Sequence, residues 1–251
     1  MYIWCLVIAL LIIGLAIITV LVIRPMRIPR DPSREGAEVE AASLAYYRTS
    51  SWPLFVFERH IILKALAKMK PKGWLVDIGC GPGFLTAKIG QKYKDIEMVG
   101  LDNSNLALRN AKRTWPVDLY PELNLIIGDA QRLPFSDNSV EFIISSLSLH
   151  HWPDAGGVFQ EIFRTLKPGG KFLIFDLRRD SPRYVYLALK IGQAFLAPKA
   201  IRMINGAVGS FWSAYTPAEI MMTTQNVPLK NLRIESHFGW MFISGIKTEK
   251  S

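Results

Sequence analysis

Between residues 74 and 177 short apolar runs alternate with stretches of helical period, and this pattern limits the possible folds more than any other feature. The runs are W-L-V-D-I (74–78), I-E-M-V-G-L-D (96–102), L-N-L-I-I-G-D (123–129), E-F-I-I-S-S-L (141–147) and K-F-L-I-F-D-L (171–177). Most are nearly continuous in apolar character. Strands of that kind are covered on both faces, and helical stretches near 84–93, 104–114 and 155–166 supply the covers. The expected fold class is α/β, a parallel sheet with helices on both faces. L-K-P-G-G at 166–170 is a helix stop. A helix over 57–69 precedes the first run, with Ile61, Ile62, Leu66 and Met69 at helical spacing. After the fifth run the pattern changes. Residues 181–213 read as helical, apolar and basic, and T-P-A-E-I (216–220) opens a helix with Thr216 as N-cap, Pro217 first and Glu219 third. Two closing strands, 229–236 and 239–246, join through S-H-F-G as an antiparallel hairpin.

The 251 residues suffice for one such domain and an appendage. Residues 3–23 are an uncharged apolar run, roughly 31 Å long as a helix, which matches a bilayer core. The expectation is one N-terminal transmembrane helix over 1–23, because only a helix satisfies its own backbone in lipid. A cleaved signal peptide would need a basic start, a shorter core and a small-residue cleavage site. The whole net charge of +9 falls on residues 24–251, and Arg24, Arg27, Arg30 and Arg34 follow the apolar run at once. Positive charge prefers the cytoplasmic side, so the expected placement is a single-pass membrane protein with its folded domain in the cytoplasm. Residues 24–40 read as a juxtamembrane linker and 41–251 as the domain. Two cysteines, Cys5 and Cys80, cannot form a disulfide framework or a zinc site.

In an open α/β sheet, ligands bind beyond the carboxyl ends of the strands, where the strand order reverses. V-D-I-G-C-G-P-G-F (76–84) ends the first strand, and its glycines let the chain turn sharply and let a ligand touch bare backbone. The spacing G-x-G-x-G is one residue short of the dinucleotide fingerprint, which weakens an NAD reading. Taken alone, the motif is also compatible with an empty glycine turn. The second strand ends at Asp102, where a carboxylate can accept both hydroxyls of a ribose. The third ends in G-D-A: Asp129 can accept from an adenine amino group and Ala130 can offer its backbone N–H. A glycine loop and two acids on three successive strand ends describe a nucleoside site that needs no phosphate.

Together with S-L-S-L-H-H-W and E-I-F-R-T-L-K-P-G-G-K-F, the segments V-D-I-G-C-G-P-G-F, L-D-N-S and G-D-A-Q-R-L-P-F-S-D-N-S-V-E resemble class I S-adenosylmethionine-dependent methyltransferases. The nearest branch is the small-molecule group of quinone, sterol and lipid methyltransferases. The resemblance covers about residues 57–177, and the last two strands more loosely. Residues 181–213, which lie outside the resemblance, are expected as a helical lid insertion within a methyltransferase domain over 41–251, and the resemblance itself implies a Rossmann-like seven-stranded sheet of order 3-2-1-4-5-7-6, strand seven antiparallel. It implies S-adenosylmethionine as cofactor and no metal. Asp77, Gly79, Gly81 and Gly83 would surround the methionine moiety, with Asp102 and Asn103 at the ribose and Asp129 and Ala130 at the adenine. Ser146 and Leu147 would lie near the transferred methyl.

The chemistry implied is displacement on an already activated methyl, so the protein chiefly supplies alignment and dryness. A base is needed only if the acceptor has a proton to lose. His150, His151 and Tyr215 are the catalytic candidates, and Tyr46 or Tyr47 could close over the pocket; for each, plain packing or solvation is the alternative. The aromatic, apolar lid suits a small lipophilic acceptor, a quinone precursor or lipid reached from the membrane surface. Two other functions fit the same fold. A protein or nucleic-acid methyltransferase would use the basic charge, but S-L-S-L-H-H-W stands where base-methylating enzymes carry N/D-P-P-Y/F, which disfavours nucleic acid. A non-catalytic cofactor-binding scaffold would keep the motifs without turnover.

Overall fold

The computed structural model describes residues 11–12, 14–15, 19–34, 44, 46–115, 124–197, 199–203 and 205–248. Its centre is a seven-stranded sheet of order β3-β2-β1-β4-β5-β7-β6. Strands β1 (Gly73–Ile78), β2 (Ile96–Asp102), β3 (Asn124–Ile127), β4 (Val140–Ser146) and β5 (Leu166–Leu177) run parallel. The hairpin β6 (Leu229–Ser236) and β7 (Trp240–Lys247) adds to β5 with β7 antiparallel, closed by His237 N–H donating to Trp240 O at 2.8 Å. The order reverses between β1 and β4, where Asp77 pairs with Gly100 on one side and Ile144 on the other. The crevice above that reversal is the place a ligand is expected.

Both faces of the central strands are dry. Helix α1 (Pro53–Met69), with Ile62 and Leu66 fully buried, and α2 (Phe84–Lys92), with Ile89, cover Leu75, Met98, Phe142, Ile144 and Leu173. On the other face α4 (Ala155–Thr165) lays Val158, Phe159 and Ile162 over Val76, Ile143, Phe172 and Ile174. Alternate residues of one strand thus enter different cores, which is why the sequence shows unbroken apolar runs. Truncating Phe159 to Ala would cost about 3–5 kcal/mol. Local chemistry sets the helix starts. Ser104 caps α3 (Asn105–Thr114) by accepting from Ala107 N, and Asp154 caps α4 by accepting from Gly157 N. Thr216 and Glu219 form the reciprocal capping box of α8 (Pro217–Thr224). The segment expected to be helical resolves into α5 (Arg183–Phe195), α6 (Lys199–Met203) and α7 (Gly206–Ser213).

Three expectations change. Among the described residues no helix is long and apolar enough to cross a membrane, which overturns the transmembrane helix in the expected fold. Residues 1–10, 13 and 16–18 of that segment lie outside the described residues. Residues 24–34, expected as a linker, are strapped to the domain. Met26 N–H donates to Ser181 O at 3.0 Å, Arg183 N–H to Arg24 O at 3.3 Å, and Asp31 N–H to Trp212 O at 3.0 Å. The Arg34 guanidinium lies 3.8 Å from the Trp212 ring centroid. A run of arginines between prolines reads as solvated, yet here it caps free carbonyls and an indole face; residues 35–43 lie outside the described ones. Lastly, β5 begins at Leu166. Leu166 pairs with Val140 before the register shifts, so the P-G-G element lies in that shift inside the strand, while the helix stop stands as expected, α4 ending at Thr165.

Candidate active site

The loop after β1 is built from glycine. Gly79, Gly81 and Gly83 have φ of 70°, 53° and 74°, a region L side chains rarely adopt. Gly79 and Cys80 both donate to Leu101 O, at 2.7 and 3.0 Å, which ties the loop to β2. A Cβ on Gly79 would stand 2.1 Å from Ser148 Oγ, and one on Gly83 would stand 2.8 Å from Trp115 Nε1. A Cβ on Gly81 would meet nothing within 4 Å, so open space lies above the middle of the loop. Cys80 is buried, its Sγ packed toward Gly100, and burial lifts its thiol pKa well above the ordinary value, helped by the charges of Asp77 and Asp102.

Acids ring that space. Asp77 is 2% exposed and accepts from Thr86 Oγ1 at 2.5 Å. Asp102 Oδ2 accepts from Gly81 N–H and Oδ1 from Ser104 N–H, both at 2.8 Å; each oxygen keeps a further lone pair. Asn103, beside it, is exposed. Beyond β3, Asp129 is exposed, with Oδ1 accepting from Gln131 N–H at 2.9 Å, and Ala130 is half-buried. At the end of β4, Ser146 Oγ donates to Glu58 Oε1 at 2.5 Å, and Leu147 N–H donates to Phe175 O at 2.9 Å from a positive-φ backbone. Tyr47 packs on Phe84 at the start of α2, ring centroids 5.7 Å apart.

Burial lifts the Asp77 carboxyl to about 7 against the Thr86 hydrogen bond, with Asp102 and Glu58 adding repulsion. Burial also lifts Glu58 to about 7, opposed by Ser146 and Arg59 and reinforced by Asp176. Asp102 is raised by burial too, although the N–H groups of Ser104 and Gly81 and the charge of His151 pull it back. Carboxyls that resist ionisation because burial outweighs the cations and donors near them gain most when a further cation enters among them. An open glycine loop for a methionine chain, an acid for a ribose and carboxyls for an ammonium and a sulfonium together fit S-adenosylmethionine.

The three catalytic candidates are not equivalent. His150 is 3% exposed, and its Nδ1 lies 2.8 Å from Asp176 Oδ1. Asp176 also accepts the N–H groups of His150 and Leu177. Tyr215 is buried; its hydroxyl donates to Trp152 O at 2.8 Å and Arg30 stacks 4.1 Å from its ring centroid. His151 is exposed, its ring 4.2 Å from that of His150, and its charge reaches Asp102. Arg30 fastens this region, donating to Ser213 O at 2.6 Å, His150 O at 2.8 Å and Trp152 O at 3.3 Å. Sequence reasoning missed Glu58 and Asp176. Asp176 ends a strand as Asp102 does, so the same rule would have found it. Glu58 sits mid-helix in F-V-F-E-R-H and carries no local signal.

Residues 76–174 match the methyltransferase domain family. The chain is 36% identical over 127 residues to a sterol 24-C-methyltransferase of Aspergillus fumigatus, covering 47% of this chain and 33% of that protein. It is 30% identical over 110 residues to a ubiquinone/menaquinone biosynthesis C-methyltransferase of Rickettsia prowazekii, covering 42% and 44%. It thus spans less than half the length of either relative. The fold superimposes on phosphoethanolamine N-methyltransferase 2 of Haemonchus contortus, solved with S-adenosyl-L-methionine, at a TM-score of 0.62 and 16% identity, over 89% of this chain and 61% of that one. With this sheet order and crevice, residues 76–174 are a class I S-adenosylmethionine-dependent methyltransferase domain. Within that class the chain resembles the branch that acts on small molecules.

Proposed function

We propose that this protein moves the methyl of S-adenosylmethionine to a small lipophilic acceptor, a quinone precursor or lipid. The observation that carries the cofactor half is the convergence of three desolvated carboxyls, Asp77, Asp102 and Glu58, on an open glycine loop at the sheet's reversal point. Asp77 and the glycines 79, 81 and 83 hold the methionine end, Asp102 and Asn103 the ribose, and Asp129 and Ala130 the adenine. Ser146 and Leu147 border the methyl. The bound cofactor supplies a methyl already activated as a sulfonium.

The protein's own part is alignment and dryness. Asp176 fixes the His150 ring and its backbone, and Arg30 fixes the carbonyls of His150 and Trp152, so the turn after β4 is rigid. His150 and Tyr215 take positioning roles, because their polar atoms are engaged and buried. His151, exposed beside His150, is the residue proposed to receive a proton from an acceptor that must lose one. A lipophilic acceptor is supported by the relatives named for sterol and for ubiquinone/menaquinone biosynthesis. It is also supported by α5, where Leu187, Ile191 and Phe195 form an exposed apolar face, Phe195 at 81%.

Incubating the full chain with methyl-labelled S-adenosylmethionine and solvent-extracted lipids and quinones tests the acceptor class. Label should enter the organic phase. Label found only in protein or nucleic acid would overturn the lipophilic reading.

A further inference from the structure

Glu58 is a helix residue that reaches into the crevice, counted above among its three desolvated carboxyls but given no partner on the cofactor. It belongs to α1, ahead of the first strand, yet its carboxyl meets Ser146 at the end of β4. β4 borders β1 at the reversal, and Ser146 stands two residues beyond Ile144, the partner of Asp77. The Glu58 carboxyl therefore lies over the gap between β1 and β4. Its charge is felt by Asp77, and Asp176 at the end of β5 bears on it in turn. Ser146 Oγ is its only hydrogen-bond partner among the described residues, and it bonds one oxygen, Oε1. Oε2 remains for a ligand.

The cofactor's layout makes the assignment specific. With adenine at β3 and ribose at β2, the next group along the molecule falls toward the β1–β4 gap. That group is the sulfonium, positive before methyl transfer and a neutral thioether after it. We propose that the Glu58 carboxylate faces the sulfonium and makes the site prefer S-adenosylmethionine over S-adenosylhomocysteine. The inference rests on the methyltransferase reading above. When the methyl leaves, the C–S electron pair stays on sulfur and the positive charge disappears, so the attraction to Glu58 ends with the reaction and the spent cofactor is released more easily.

The groups facing Glu58 are Arg59 on its own helix, Asp77 on β1, Ser146 on β4 and Asp176, paired with His150, on β5. Asp77 also titrates near 7, but it faces the methionine end that both cofactor forms share. Its ionisation shifts both affinities together and cancels in their ratio. Burial places Glu58 at about 7, so the carboxylate forms as pH rises through neutrality.

The test is calorimetry on the full chain with S-adenosylmethionine and S-adenosylhomocysteine between pH 5.5 and 8. The affinity ratio should rise about tenfold in favour of S-adenosylmethionine across that range, the scale of an opposite charge within about 4–6 Å. Glu58→Gln, of the same shape, should give a ratio lower at pH 8 and free of this rise, which also subtracts any titration of the ligand's own groups. Ser146→Ala removes the hydrogen bond that holds the Glu58 pKa down, so its rise should move to higher pH. Binding of both ligands with a ratio that follows pH equally in wild type and Glu58→Gln would overturn the assignment and leave the methyltransferase reading standing. So would an unmoved midpoint in Ser146→Ala. Binding of neither ligand would overturn both readings.

Discussion

The two sides of the crevice are made by different means. On the β1–β3 side the ligand-facing groups come from residues 77–130, and much of what they offer is backbone: positive-φ glycines and the N–H groups tied to Asp102. On the β4–β5 side the groups are Arg30, Glu58, Ser146, His150, Asp176 and Tyr215, brought together by side-chain contacts across long stretches of chain. The first side is a turn that short-range sequence dictates. The second is an assembly that forms only when the whole domain has closed. The contrast is sharpest between two of their residues: Asp102 on the first side should fail through cofactor affinity, and Arg30 on the second through stability.

Gly79→Ala should have the largest effect. A Cβ there meets Ser148 Oγ at 2.1 Å on a backbone with φ of 70°, so about 3–4 kcal/mol of stability is lost and cofactor binding with it. Thermal unfolding should show a Tm about 6–16 °C lower. Asp102→Ala comes next. It removes the proposed ribose acceptor and orphans two backbone N–H groups, so affinity should fall on the order of 100-fold by calorimetry. Affinity within threefold of wild type would sink the assignment.

Arg30→Ala tests the other side. It strips the carbonyls of Ser213, His150 and Trp152 and one face of Tyr215, costing about 2 kcal/mol in chemical denaturation. Cofactor affinity should change less than about threefold, and a loss like that of Asp102→Ala would erase the distinction between the two sides.

The smallest effect has the opposite sign. The Asp77 carboxyl is raised to about 7, so it favours the fold while protonated; that contribution is complete below ~4 and lost as pH rises through 7. Asp77→Asn should then be more stable than wild type at pH 8, by about 1–2 kcal/mol, with no difference near pH 4. The same variant should bind S-adenosylmethionine more weakly. A gain in stability paired with a loss of binding is what a desolvated ligand-binding acid predicts.

The same division explains what could be read from the sequence. The glycine loop, Asp102 and the Thr216–Glu219 capping box follow from residues within a few positions of one another and lie at the strand ends and helix start expected, while the strand order, implied by the family resemblance, matches the sheet. Glu58 could not be read, because its meaning comes from Ser146, 88 residues away. Arg30 misled for a related reason. Among prolines and other arginines it resembles solvated chain, and only the folded partners 120 and 183 residues away give it a place. His150 and Tyr215 stand out in the sequence as catalytic candidates, and the structure places both buried and hydrogen-bonded. Their burial against Asp176 and Trp152, on which the proposed positioning role rests, depends on strands and turns that close over them.

The burial of Cys80 gives the glycine loop a built-in clock. Its thiol sits among the glycines, packed toward Gly100 and held protonated, so a thiol reagent can reach it only when the loop lifts from β2. In a Cys5→Ser background the rate of alkylation then reports the fraction of time the loop is open, and a ligand that closes the loop slows it.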